Sequence, residues 1–171
     1  YKRMTGDNLT VTNVVGLDDH VRGILPYEIS NTCPLEALKA QAVCARSYSM
    51  ANLGKHSSLG FDLCNTDDCQ VYAGINKAND LTDQAVDETL GILAWYDGDV
   101  AATYYSSCDG GASECKSNVW GGSDVPYLQG VTDPYEADLA DSISYYYWST
   151  EYSSAELTDI LQTKGYAATK I

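Results

Sequence analysis

Between residues 34 and 52 the apolar positions fall three and four apart: Leu35, Leu38, Ala42 and Ala45, with Ser49 extending the stripe. That spacing predicts one long Ala-rich helix, apolar along a single face. Pro34 suits its first helical position, Glu36 its first turn and Gly54 its stop. Most of the stripe is small, so a neighbouring backbone can approach closely. Glu36, Lys39 and Arg46 flank the stripe. A charged row there lines either a cleft or solvent. Upstream, residues 25–32 read as a loop carrying the carboxylate Glu28. Residues 18–25 read as a short helix or turn that delivers it.

The remaining pattern is mixed. Residues 9–15 (LTVTNVV) alternate and are β-branched, which predicts a strand. Residues 70–72 read as a short strand. Residues 80–90 fit a second helix with Leu81, Ala85, Val86 and Leu90 on one face. Residues 92–96 and 101–106 read as a hairpin around Asp97, Gly98 and Asp99. Residues 120–128 read as loop. Residues 153–164 form a third helix, capped by Ser153 or Ser154, with Leu157, Ile160 and Leu161 inward. No internal repeat is visible. Separated helices among strands predict an α+β fold. The expected form is a single domain over 1–171, its long helix packed against mixed or antiparallel strands, with an active-site cleft alongside.

The chain has 171 residues, enough for a real core, with 44% apolar and 20% charged residues. A net charge of −14 argues against nucleic acid and against anionic membrane surfaces as partners. No apolar run is long enough to span a membrane, and no signal-peptide pattern opens the chain. The chain begins at Tyr1, which reads as an excised domain or mature fragment. Any membrane attachment would therefore run through a segment outside it. Fourteen Tyr stand against one Phe. Tyr pairs a flat apolar face with a hydroxyl, a combination suited to sugars.

Six Cys suggest an oxidising compartment. A bond between Cys33 and Cys44 is excluded, because helix rise separates them by roughly 16 Å. Cys64 and Cys69 close the turn-rich loop CNTDDC, and Cys108 and Cys115 flank DGGASE, which reads as a hairpin-like turn. Each pair can bridge, or each half can meet another Cys.

The stretch EISNTCPLEALKAQAVCARSY resembles the signature of the SpoIID/LytB family, named for stage II sporulation protein D and the LytB amidase enhancer. Members carry a Glu eight residues before the Glu of an Ala-rich helix, here Glu28 and Glu36. Further segments follow in the family's order: CQVYAG at 69–74, ETLGILAWYDG at 88–98, YYSSCDGGAS at 104–113, NVWGG at 118–122 and VPYLQGVTDP at 125–134. The likeness covers residues 14–134. Family members usually continue into a further β-rich section that this chain does not include.

The resemblance implies a lytic transglycosylase acting on peptidoglycan glycan strands, preferring strands stripped of stem peptides. In that reaction the muramic 6-hydroxyl attacks its own anomeric carbon and leaves a 1,6-anhydro end. The sugar supplies the nucleophile, so one carboxyl can protonate the leaving oxygen and then accept the hydroxyl proton. An ordinary glycosidase needs two. The family motif gives that role to Glu28, set among Pro26, Tyr27 and Ile29; apolar surroundings favour a carboxyl that starts protonated. Glu36 is the rival, and its place in a first helical turn accounts for it on helix grounds alone. Lys39, Gln41 and Arg46 are candidates for orienting sugar or Glu28. Gln70, Tyr72, Ser106 and Ser107 match further family blocks as substrate-binding candidates, with Gly110 and Gly111 allowing close backbone approach.

No cofactor is required for this chemistry. Some family members bind zinc on the segment matching 64–69, so Cys64 and Cys69 are possible metal ligands with His56 the nearest imidazole. A disulfide is the favoured reading of that pair. The alternative function is a non-catalytic wall-binding module that stimulates a cell-wall amidase. Either implies an extracytoplasmic location.

Overall fold

The computed structural model describes residues 2–3 and 9–169. The chain divides into two compact units, Tyr1–Tyr105 and Ser106–Ile171. The first begins with a two-residue ribbon, β1 (Lys2–Arg3) against β2 (Leu9–Thr10). Helix α1 spans Leu17–Glu28, α2 Leu35–Ala51 and α3 Asp80–Glu88. A hairpin of β3 (Trp95–Tyr96) and β4 (Asp99–Val100) follows. Short 3-10 turns lie at Ser57–Leu59 and Ile75–Lys77.

Each helix has a local cause. In α1, Asp18 and Asp19 sit in the first turn, where negative charge suits the helix dipole. Pro34 is the N-cap of α2 rather than its first residue: its ψ of 145° is extended, and only Leu35 enters the helix. At the far end Asn52 closes α2 by donating its N–H to Tyr48, and Gly54 lies in the turn beyond. Helix α3 starts with a capping box between Asn79 and Thr82. The β3–β4 loop is Asp97–Gly98, with φ of 50° and 87°, the left-handed pair that a two-residue hairpin requires.

The core of this unit is helical. Val21, Ile24 and Leu25 of α1, Leu38, Ala42 and Ala45 of α2, and Ala85 and Val86 of α3 are fully buried together. The two Ala of α2 let its neighbours approach its backbone. Mixed helix and antiparallel ribbon is thus the observed class, but strands do not pack the core. Residues 70–72 form no strand. Their donors go elsewhere, Tyr72 N–H to Asn65 and Val71 N–H to Glu28. Only Leu9–Thr10 of the expected 9–15 strand is paired. Leu90 lies beyond the end of α3 and is 62% exposed, not inward.

Arg46 is the largest fully buried side chain. Its Nε donates to Asp18 at 2.8 Å, and its two terminal nitrogens reach Ile92 O at 3.2 Å, Val86 O at 3.5 Å and Thr89 Oγ1 at 3.4 and 3.5 Å. A residue that flanks the stripe on the helical wheel is therefore a tie between α1, α2 and the end of α3. It is not a sugar-facing cation. Lys39 stays at the surface, paired with Glu36 and Glu88.

In the second unit, residues 111–116 run beside 128–133. Asp133 N–H bonds Gly111 O, Ser113 N–H bonds Val131 O and Lys116 N–H bonds Leu128 O. The segment after Cys108 therefore pairs with a later one instead of folding on itself. Helix α4 spans Lys116–Trp120, partly within the stretch expected as loop, and a 3-10 helix spans Glu136–Ser142. Helix α5, Ser154–Thr163, is capped by Ser153 with Glu156. Ile160 is 39% exposed rather than inward.

Leu38→Ala removes buried methyls from the helical core and should cost about 2–5 kcal/mol. Arg46→Ala strands Asp18 and the carbonyls of α3 and should cost ~3 kcal/mol. Lys39→Ala should leave the transition where it is. Urea denaturation followed by circular dichroism checks all three.

Candidate functional site

Glu28 is the last residue of α1. Leu25 and Pro26 before it are buried, and Ile29 after it packs on the core, so the helix end is fixed. Its Oε1 accepts the N–H of Val71 at 2.6 Å. Its second oxygen has no hydrogen-bond partner among the described residues. Tyr27 beside it donates its hydroxyl to Ala73 O at 3.3 Å, and the Lys77 ammonium lies 4.7 Å over the Tyr27 ring.

The segment that meets Glu28 is itself held at several points. Gln70 is 3% exposed. Its Nε2 donates to Ala45 O at 3.2 Å and to Tyr105 Oη at 3.1 Å, while its Oε1 accepts from Ser49 at 2.7 Å. Tyr72 stacks on His20 at 5.1 Å, accepts from Asn13 at 3.2 Å and lies against Gly23. A Cβ at Gly23 would meet the Tyr72 ring at 2.3 Å, so only glycine lets the ring seat there. Burial lowers the pKa of His20. Burial also pushes the Tyr105 phenol up to about 12, against the Gln70 hydrogen bond and assisted by the charge of Glu28.

Among the sequence candidates, the fold brings Glu28 and Gln70 together, one peptide apart at Val71. Tyr72 packs on α1. Gln41 is half-buried, and its Nε2 has no partner among the described residues. Arg46 belongs to the core, while Glu36 and Lys39 form a surface pair. Ser106 and Ser107 fall in the second unit, where Ser106 Oγ donates to Cys108 O at 3.3 Å. There the Glu136 carboxylate accepts from the N–H groups of Asp109, Gly110 and Gly111 at 3.1, 2.8 and 3.1 Å. The sequence reading missed Tyr105, although it adjoins the Ser106–Ser107 block. It also missed the Val71 N–H, a backbone group that no residue type announces.

All six cysteines are free thiols, so no bridge joins Cys64 to Cys69. Both instead converge with His56 and Asp68, with one donor atom from each residue all lying within 4.8 Å. Cys69 Sγ lies 3.3 Å from His56 Nε2, and Asp68 Oδ2 lies 3.1 Å from the same nitrogen. Burial raises the Cys64 thiol, but hydrogen bonds with Thr66, Cys69 and His56 outweigh it and bring it down to about 7. Lys55 bonds both the carbonyl and the carboxylate of Asp68. Two thiols, an imidazole and a carboxylate are a donor set that fits zinc. Asp68, which stands with Asp67 between the two cysteines in sequence, is the fourth member of this set.

No helix among the described residues is long and apolar enough to cross a membrane.

The chain is 47% identical over 126 residues to an uncharacterized protein of Brachyspira hyodysenteriae (strain ATCC 49526 / WA1), a match covering 73% of this chain and 34% of that protein. It is 33% identical over 138 residues to the amidase enhancer of Bacillus subtilis (strain 168), covering 81% of this chain and 18% of that protein. It therefore spans about a third of the first relative and under a fifth of the second. Residues 5–96, which contain Glu28, Gln70 and the His56–Cys69 cluster, match the stage II sporulation protein family. The chain belongs to that family, SpoIID.

Proposed function

We propose that the chain cleaves peptidoglycan glycan strands as a lytic transglycosylase, with Glu28 as the single acid and base. The observation that carries this reading is the asymmetric carboxyl of Glu28. Val71 N–H occupies Oε1, which leaves the other oxygen to carry and deliver a proton. In the first step that proton goes to the glycosidic oxygen as its bond to the anomeric carbon breaks. In the second the same carboxylate takes the proton of the muramic 6-hydroxyl as that oxygen closes on the anomeric carbon. The Val71 N–H supports the carboxylate between the steps. The bond cut is the β-1,4 link from N-acetylmuramic acid to N-acetylglucosamine in strands without stem peptides. The setting is extracytoplasmic cell-wall remodelling, as in sporulation.

The relative named amidase enhancer favours a second reading, in which the chain binds wall glycan and stimulates an N-acetylmuramoyl-L-alanine amidase without cutting. Neither reading needs a cofactor. Zinc would be held by His56, Cys64, Asp68 and Cys69. Four protein ligands fill a tetrahedral ion, so it would supply a structural cross-link rather than a reactive site.

Glu28→Gln keeps the Val71 contact but carries no proton. It should lower turnover of purified glycan strands by about 10²–10⁴-fold while the fold is retained. Glu36→Gln should leave turnover in place. Mass spectrometry of the wild-type digest should show 1,6-anhydro ends and no oxygen-18 from labelled water. Labelled reducing ends would refute the single-carboxyl mechanism, and intact strands with saturable binding would establish the enhancer reading.

A zinc titration gives a separate check. At a free ion concentration of 100 times Kd, zinc should raise unfolding stability by about 2.7 kcal/mol. Cys64→Ser and Cys69→Ser should each abolish most of that gain in a calorimetric melt.

A further inference from the structure

The buried amide of Gln70 is oriented without ambiguity. The atom 3.2 Å from Ala45 O must be Nε2, because a carbonyl oxygen only accepts; the same nitrogen faces Tyr105 Oη at 3.1 Å, and Oε1 is left to take the Ser49 hydroxyl proton at 2.7 Å. Both N–H bonds of that nitrogen are then spent, one on the carbonyl and one on the phenol oxygen. Tyr105 is therefore an acceptor in this contact, and its own O–H must point away from Gln70. That O–H has no acceptor among the described residues.

Gln70 and Val71 are consecutive, each holds one of the two groups, and the Glu28 charge reaches the Tyr105 phenol. The side chain of one fixes the Tyr105 phenol, and the backbone N–H of the other fixes the Glu28 carboxyl. A neutral donor with a free proton and a carboxyl with a free oxygen thus share one neighbourhood. Gln70 is 3% exposed and cannot itself reach a polymer. Tyr105 is half-buried and lies beyond residues 5–96.

We propose that Tyr105 is a substrate-binding residue, donating its phenolic O–H to an uncharged sugar oxygen of the glycan, such as an acetamido carbonyl, beside Glu28. Gln70 is the positioning residue that aims it. Burial and the neighbouring Glu28 charge keep the phenol protonated, with its pKa up to about 12, so the donor persists at neutral pH. The role rests on the reading that this chain binds glycan strands, but not on whether it cuts them.

The test is calorimetric titration with purified peptide-free glycan strands, run on the Glu28→Gln protein so that the strands stay intact. Tyr105→Phe keeps the ring and removes only the O–H. It should weaken strand binding about 2–13-fold, the range of one hydrogen bond of roughly 0.5–1.5 kcal/mol. Gln70→Leu should weaken binding by a similar factor, and adding Tyr105→Phe to Gln70→Leu should cost nothing more. A residue with only a structural role would shift the melting temperature without that coupling. If Tyr105→Phe disturbs folding, 3-fluorotyrosine at position 105 serves instead: it keeps the shape, is a stronger donor and should tighten binding. Unchanged affinity in folded Tyr105→Phe, or a loss that persists at full size in Gln70→Leu, would overturn the role of Tyr105 alone. A wild-type protein with no strand binding would overturn the glycan reading and this role with it.

Discussion

The first unit depends on one buried charge. A guanidinium placed in a protein interior is costly unless its donors are met. Arg46 meets that condition by drawing its partners from three directions. Asp18 comes from the start of α1, and the acceptors at Val86, Thr89 and Ile92 come from the end of α3 and the chain just after it. Carbonyls at a helix C-terminus lack intrahelical donors and carry partial negative charge, so a cation is well placed there. The same contacts that satisfy Arg46 hold α1 and α3 against α2. With its first turn fixed in this way, α1 projects its other end, and Glu28 with it, toward the segment at 70–73.

Much of this was legible in the pattern of the chain. The spacing of Leu35, Leu38, Ala42 and Ala45 marked both the helix and its buried face: the last three are in the core and Leu35 packs against it. Asp97–Gly98 marked a hairpin because few other residue pairs accept two left-handed positions. Arg46 was not legible. Seen beside Glu36 and Lys39 it resembled a solvent or cleft row, because a wheel gives direction but not what lies opposite. Residues 70–72 looked like a strand because Val and Tyr favour extended backbone, and the backbone between them does donate. It donates to a loop carbonyl and a carboxylate rather than to a ladder.

The candidate site shows the same division. Glu28 is singled out by its motif, whereas the peptide N–H that it accepts leaves no trace in residue type. Cys64 and Cys69 suggested a bridge because six cysteines point to an oxidising compartment, where such a pair is more often a disulfide. His56 and Asp68 join them only through the turns between α2 and residue 69, where Lys55 restrains the Asp68 carboxylate. Local sequence reports elements well; it reports poorly where contacts depend on loops returning to the same place.

Gly23 sits mid-helix in α1, where glycine is less favourable than alanine by about 1 kcal/mol. Helix propensity therefore selects against it, yet any larger residue would collide with the Tyr72 ring. Its carbonyl also accepts the Ala73 N–H at 3.4 Å, so the helix and the following segment meet there backbone to backbone. The absence of a side chain at one position thereby governs how far residues 71–73 stand from α1, and with them the donor on Glu28. Position 23 carries no reactive group, yet a variant there would lengthen the Val71 contact while leaving every candidate side chain in the sequence.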